Sequence, residues 1–311
     1  MLHKNVEGKG KAYFAVALTS IIWGTTWVAS KIGIGDIPAI QMAAIRQFLA
    51  GAGFILIFFI FNKLPLPTAK QWKWLIVMSI LMFVFANGLS TLSLQYIPTG
   101  LSALIGALYP LSVVIIERIF FKAKKITPLT LIGFILGIGG IGIVFYENAF
   151  DSKSIGSFII GLILSVIAML SWSVGTIFMA RNKAQLNPYY ATGWQMLIGS
   201  VFLFFYSIVT QKNIPLSEIS VKGWLVIFYL VVIGSTAFVA FIYSMKKLPM
   251  GIASLYAYFN PLIAIITAGI ILNEKLTLNI LWGAIVTVIG VFLVNYSIKR
   301  DNNKTLAEPE M

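Results

Sequence analysis

The sequence predicts an all-α integral membrane fold of ten transmembrane helices arranged as two inverted five-helix repeats. Three observations predict it. Hydrophobic residues make up 59% of the 311-residue chain and charged residues 11%, with mean hydropathy +0.92. That leaves too little polar surface to cover a water-soluble globule of this size. Ten apolar segments approach the roughly 20 residues that a helix needs to cross a bilayer: 12–30, 39–61, 74–94, 100–116, 129–146, 155–180, 190–210, 223–244, 251–272 and 278–298. Landmarks then recur at a nearly constant offset. Trp23 pairs with Trp172 and Arg46 with Gln195 at 149; Pro98 with Pro249, Gly100 with Gly251 and Pro110 with Pro261 at 151; Gly133 with Gly283 and Gly140 with Gly290 at 150. An odd number of spans per copy turns the second copy over. The expected boundaries are 1–150 for the first repeat, 151–298 for the second and 299–311 for a polar, disordered, cytoplasmic tail.

Each element has its own reason. The first apolar segment follows basic residues as a signal peptide would, but nine more spans come after it and no small-residue cleavage site ends it, so it reads as a retained helix. Thr19, Trp23, Thr26 and Ser30 share one face of it. Arg46 lies some eight residues inside the second span and is costly in lipid, so it must face protein or water. It either binds an anionic group such as a solute carboxylate, or snorkels to the interface and caps backbone carbonyls. Asn87, Ser90 and Thr91 form a polar face in the third span. Pro110 in the fourth and Pro261 in the ninth are expected helix kinks, freeing the carbonyls of Gly106 and Ala257. A freed carbonyl in lipid needs a helix, water or a ligand as partner, so each proline marks either a plain kink or a pocket lining. Tyr109 and Asn260 precede the prolines, and Tyr256 shares a face with Asn260. In the sixth span Ser165, Met169, Trp172 and Thr176 repeat the stripe of the first, and the eighth carries Tyr243. The glycine-rich fifth and tenth spans read as packing elements.

Several function classes fall away. The net charge of +13 does not point to nucleic acid. Seventeen of the 23 Lys and Arg fall on the N-terminal side of the membrane, and only Lys31, Lys153, Lys212, Lys222 and Lys275 on the other. That bias places both termini in the cytoplasm and suits an anionic lipid surface. The chain has no cysteine and one histidine, His3, so no disulfide framework, metal cluster or nucleophile–base set can be assembled, and neither an enzyme nor a cofactor is expected. Gly137, Gly139 and Gly142 spell a dinucleotide fingerprint, but inside an apolar helix this spacing reads as helix packing. Glycosylation sequons at Asn295 and Asn303 fall on the predicted cytoplasmic side and read as chance matches. Glu117, beside Arg118, reads as an interfacial ion pair.

The two five-helix copies, Trp23-Gly24, Arg46-Gln47-Phe48, and Pro110 and Pro261 resemble the drug/metabolite transporter superfamily, and within it the EamA family. Leu272-Asn273-Glu274-Lys275-Leu276-Thr277, followed by Trp282-Gly283-Ala284, is similar to that family's Gly-Glu turn between the last two helices. Asn273 stands where the glycine is usual, and Lys122-Ala123-Lys124-Lys125 where the first copy often has an acid. The turn's glutamate is therefore expected to set helix-turn geometry. The resemblance implies a bacterial inner-membrane exporter of small metabolites such as amino acids, or alternatively of drugs and toxic compounds. Its mechanism would be alternating access, with proton coupling and facilitated diffusion both open. The expected cavity is lined by spans 1, 3, 4, 6, 8 and 9, through Trp23, Thr26, Asn87, Tyr109, Trp172, Thr176, Tyr243, Tyr256 and Asn260. It would suit a neutral or zwitterionic solute with an apolar part, with Arg46 as the partner of a carboxylate.

Overall fold

The computed structural model describes residues 2–62, 64–121, 126–151, 155–181, 186–248 and 255–307. Among them the chain forms ten main helices: α1 Leu2–Gly33, α2 Ala39–Asn62, α3 Ala69–Ser93, α4 Thr99–Phe120, α5 Pro128–Asp151, α6 Ile155–Arg181, α7 Pro188–Val209, α8 Val221–Lys247, α9 Tyr256–Leu272 and α10 Leu278–Ala307. All but α9 are individually long and apolar enough to cross a membrane. The segment expected to open the ninth span, with the landmarks Pro249 and Gly251, lies outside the described residues, as does the basic run at 122–125. One expectation is corrected: α10 continues as helix to Ala307, through most of the stretch expected to be a disordered tail.

Short polar signals start the helices. Thr68 opens α3 with a capping box, its hydroxyl accepting from the Gln71 amide at 3.4 Å while Gln71 Oε1 accepts from the Thr68 amide at 2.8 Å. Asn187 caps α7 ahead of Pro188, and Ser220 caps α8 by accepting from the Gly223 amide at 3.0 Å. The large apolar side chains that stay exposed, such as Phe61, Phe205, Phe228 and Ile270, form the lipid-facing surface expected of a bundle whose solvent is hydrocarbon.

Packing follows the inverted repeat. α1 packs on α8 and α9, and its repeat mate α6 packs on α3 and α4. The α2–α7 and α5–α10 pairs map onto themselves when the copies are exchanged. Glycines set the closest approaches. A Cβ on Gly133 would stand 2.7 Å from the Gly290 carbonyl and 3.0 Å from the Val294 amide, so α5 and α10 meet backbone to backbone. Thr287 Oγ1 donates to Gly137 O at 3.4 Å in the same seam. Of the fingerprint glycines, Gly137 faces Leu111, while a Cβ on Gly139 or Gly142 would meet nothing within 4 Å. The packing reading of that motif therefore rests on Gly133, Gly137 and Gly140. Asn295 is a helical residue of α10 whose amide donates to the Tyr258 hydroxyl, so that sequon has a packing role.

Two helices depart from regular geometry. α3 widens to π-helical over Ile80–Leu89, and two of its carbonyls take side-chain donors from neighbours: Phe83 O from Gln47 Nε2 at 3.2 Å, and Leu81 O from Ser171 Oγ at 2.9 Å. α4 is interrupted at Leu108, just before Pro110, as the proline predicts. α9, by contrast, runs uninterrupted through Pro261. It ends at Asn273 with φ 54°, the left-handed position that favours glycine and tolerates asparagine. That geometry accounts for the departure from the Gly-Glu pattern. The next residue, Glu274, accepts from the Thr99 and Gly100 amides at 2.9 and 3.4 Å, capping α4 from the far repeat. Replacing Asn273 with valine should cost about 1–2 kcal/mol, whereas glycine should be neutral or better. Thermal unfolding of the purified variants checks this, and equal losses for both would contradict it.

Candidate functional site

A cavity of about 220 Å³ lies between the two repeats. Trp23, Tyr109, Trp172, Phe238 and Tyr256 form one end of its wall. These rings interlock: Trp23 meets Trp172 edge-on at 6.3 Å, Phe238 at 5.0 Å and Tyr256 at 5.2 Å, and Tyr109 stacks on Tyr256 at 6.3 Å. Just beyond them, toward the start of α1, Phe241 and then Ala12, Val16 and Leu248 are buried, so the bundle is filled on that side. From the ring layer the cavity extends toward the C-terminal end of α1, past Trp27 and Ser30.

The opposite wall is polar and comes mainly from α2 and α3. Arg46 donates to Asn87 Oδ1, to Thr91 Oγ1 at 3.3 Å and to Ser30 Oγ at 3.5 Å. Gln47 Nε2 donates to the same Asn87 oxygen at 3.0 Å. Arg46 thus neither snorkels nor caps backbone carbonyls; neutral side-chain oxygens hold it at the cavity wall. The widened turn of α3 supplies Asn87, the acceptor both donors share. Deeper on α9, Asn260 Oδ1 accepts from Trp27 Nε1 at 3.0 Å. Gly106 and Ala257, whose carbonyls lose their amide partners to Pro110 and Pro261, also line the cavity. A hydroxyl chain, Ser93–Ser102–Ser165 with steps of 3.0 Å, ties α3, α4 and α6 together beside them.

Of the residues expected in the wall, Trp23, Thr26, Arg46, Asn87, Tyr109, Trp172, Tyr256 and Asn260 are there. Thr176 and Tyr243 are not. Both stand past the ring layer on the filled side, where the Thr176 hydroxyl donates to Ser173 O at 2.8 Å and Tyr243 packs beside Ala12, Val16 and Leu248. The expected helices also fall short by two, since α2 contributes Arg46, Gln47 and Ala50, and α7 contributes Met196. Trp27 was missed although it follows Trp23 by one helical turn, and Gln47 although it adjoins Arg46. Gly234 and Ser235 carried no signal, because only packing shows that α8 turns them inward. Glu117 pairs with Arg181 across α4 and α6 at 3.0 Å, exposed and outside the cavity.

The sequence profile of the EamA-like transporter family matches residues 10–146 and 159–296. The chain belongs to this family. The two matched stretches coincide with the two five-helix copies, so the EamA repeat is present twice. An uncharacterized transporter of Bacillus subtilis strain 168, YoaV, is 25% identical over 93% of this chain and 98% of its own length. The uncharacterized inner membrane transporter YedA of Escherichia coli K12 is 29% identical over 88% and 87%. A WAT1-related chloroplastic protein of Arabidopsis thaliana is 26% identical over 88% of this chain and 67% of that one. A protein of known crystal structure shares the fold at TM-score 0.67 and 16% identity, over 94% of this chain and 98% of that one. As an EamA protein, this chain is a multi-pass membrane transporter and not an enzyme.

Proposed function

We propose that this transporter exports small metabolites, amino acids and related compounds being the class implied by the family resemblance, across the bacterial inner membrane by alternating access. The observation that carries the reading is the cavity itself. It sits between two inverted copies, takes lining from both, and is closed on one side by a layer of rings that α1, α4, α6, α8 and α9 supply together. Such a layer can part only if the helices of the two copies move relative to each other, which is the motion alternating access requires. The charge bias supports cytoplasmic termini. The filled side then faces the cytoplasm and the cavity the exterior. The relative described as an inner membrane transporter supports the location.

Counterflow in proteoliposomes, loaded with a mixed pool of amino acids and metabolites with and without a pH gradient, tests the reading. Exchange of a defined solute is expected, and dependence on the gradient would identify proton coupling. Absence of exchange by folded protein across a broad pool would refute the reading. Trp172→Ala and Asn260→Ala should each lower the exchange rate by about tenfold, the scale of one lost wall contact of about 1.4 kcal/mol, while inserting normally into the membrane. Unchanged rates in both variants would remove these residues from the binding surface.

A further inference from the structure

The cavity wall carries one formal charge. Among the described residues lining it there is no Asp, Glu or Lys, and the cation is Arg46. The acceptors around that guanidinium are the Asn87 amide oxygen and the Ser30 and Thr91 hydroxyls, all neutral. They orient it without cancelling its charge. At the other end stands the layer of Trp23, Trp172 and Tyr256 rings. The site is therefore polarised, with an uncompensated planar cation at one pole and an apolar aromatic surface at the other.

We propose that the cavity selects small organic monoanions, with a carboxylate against Arg46 and an apolar or aromatic body against the rings, in preference to zwitterions of the same shape. The proposal rests on the transport reading above and moves its solute away from the neutral or zwitterionic class that the sequence suggests. The reason is charge balance in a closing site. When the repeats close over a bound solute, water leaves and uncompensated charge becomes costly. A monoanion brings the wall and its occupant to net zero, and the Arg46 fork matches a carboxylate with two parallel N–H donors. A zwitterion brings the same carboxylate but leaves the sum at +1. Its ammonium would find only neutral oxygens, of which Asn87 Oδ1 is already engaged by Arg46 and Gln47, and Asn260 Oδ1 by Trp27. The carbonyls of Gly106 and Ala257 could solvate an ammonium as dipoles, yet they would not neutralise the guanidinium. In size, 220 Å³ equals the liquid volume of roughly seven waters at about 30 Å³ each, enough for a single-ring acid.

Matched triples test this in proteoliposomes of the full chain: an acid, an amino acid and an amine on one body, such as phenylpyruvate, phenylalanine and phenethylamine, with an aliphatic set beside it. Counterflow of the acids should exceed that of the amino acids by tenfold or more, with the amines lowest. Arg46→Gln should erase that ordering by lowering acid exchange at least tenfold more than it lowers amino-acid exchange. Arg46→Lys, which keeps the charge but not the fork, should fall between. Quenching of tryptophan fluorescence by each probe in detergent reads binding apart from turnover. Exchange led by amino acids or amines, or an ordering unchanged in Arg46→Gln, overturns the anion inference and leaves transport standing. No exchange of any solute, from these triples or from the broad pool, overturns the transport reading and this inference with it.

Discussion

Gly290→Leu should cost about 3 kcal/mol or more of stability, at or above the upper end of what overpacking does in a tight interior. A Cβ at Gly290 would lie 2.6 Å from Gly133 O and 2.8 Å from Gly137 Cα, both backbone atoms that cannot rotate away. The whole α5–α10 pair would have to separate, breaking Thr287 Oγ1 from Gly137 O and loosening the Thr130–Ser297 hydroxyl contact at 2.9 Å. Gly139→Leu is the control, because a Cβ there meets nothing within 4 Å. A thermal melt in detergent should show a large drop for the first variant and little change for the second. Equal drops would mean that the seam is not where α5 and α10 are held.

Trp23→Ala should have an effect of similar size through a different cause. The Trp23 ring touches four others, adding Phe241 at 5.2 Å to Trp172, Phe238 and Tyr256, and no other ring in the layer has as many partners. Truncating a fully buried tryptophan typically costs about 3–5 kcal/mol; Trp23 is half-buried, so the lower end applies, to which each aromatic pair adds roughly 0.5–1.5 kcal/mol beyond its buried area. The missing ring also joins the cavity to the filled side. Trp23→Ala is therefore expected to be less stable and to let preloaded solute leak from proteoliposomes without exchange, while Trp23→Phe restores part of both. A stable, tight Trp23→Ala variant would show that the layer is sealed elsewhere.

The helices and the repeat were legible because lipid enforces them: a spanning segment must be apolar and helical, and α1 to α8 and α10 fall where the apolar runs lie. The starts of α3, α7 and α8 are set by the capping side chains Thr68, Asn187 and Ser220, which apolar runs beginning at 74, 190 and 223 do not mark. The cavity was legible in direction and not in depth. Thr176 lies four residues past Trp172, so periodicity assigns them one face, but one turn is 5.4 Å and carries Thr176 across the ring layer. Tyr243 stands beyond the same layer on α8. Trp27 was lost by drawing the α1 stripe too narrow, as a helix facing a cavity presents a wider arc than four residues at alternating steps of three and four. The widening of α3 left no trace in the sequence, and although Ser30, Asn87 and Thr91 show there as polar faces, their convergence on Arg46 does not, since both depend on what the neighbouring helices offer.

The α5–α10 seam also orders events at the ribosome. Gly137 and Thr287 are 150 residues apart, yet each supplies half of one hydrogen bond, the Thr287 hydroxyl donating to the Gly137 carbonyl. At about 5–20 residues per second of synthesis, α5 waits in the bilayer for roughly 8 to 30 s before its partner emerges. During that interval the glycine face of α5 lacks the α10 partner it has in the folded protein and is open to lipid and to other helices within reach.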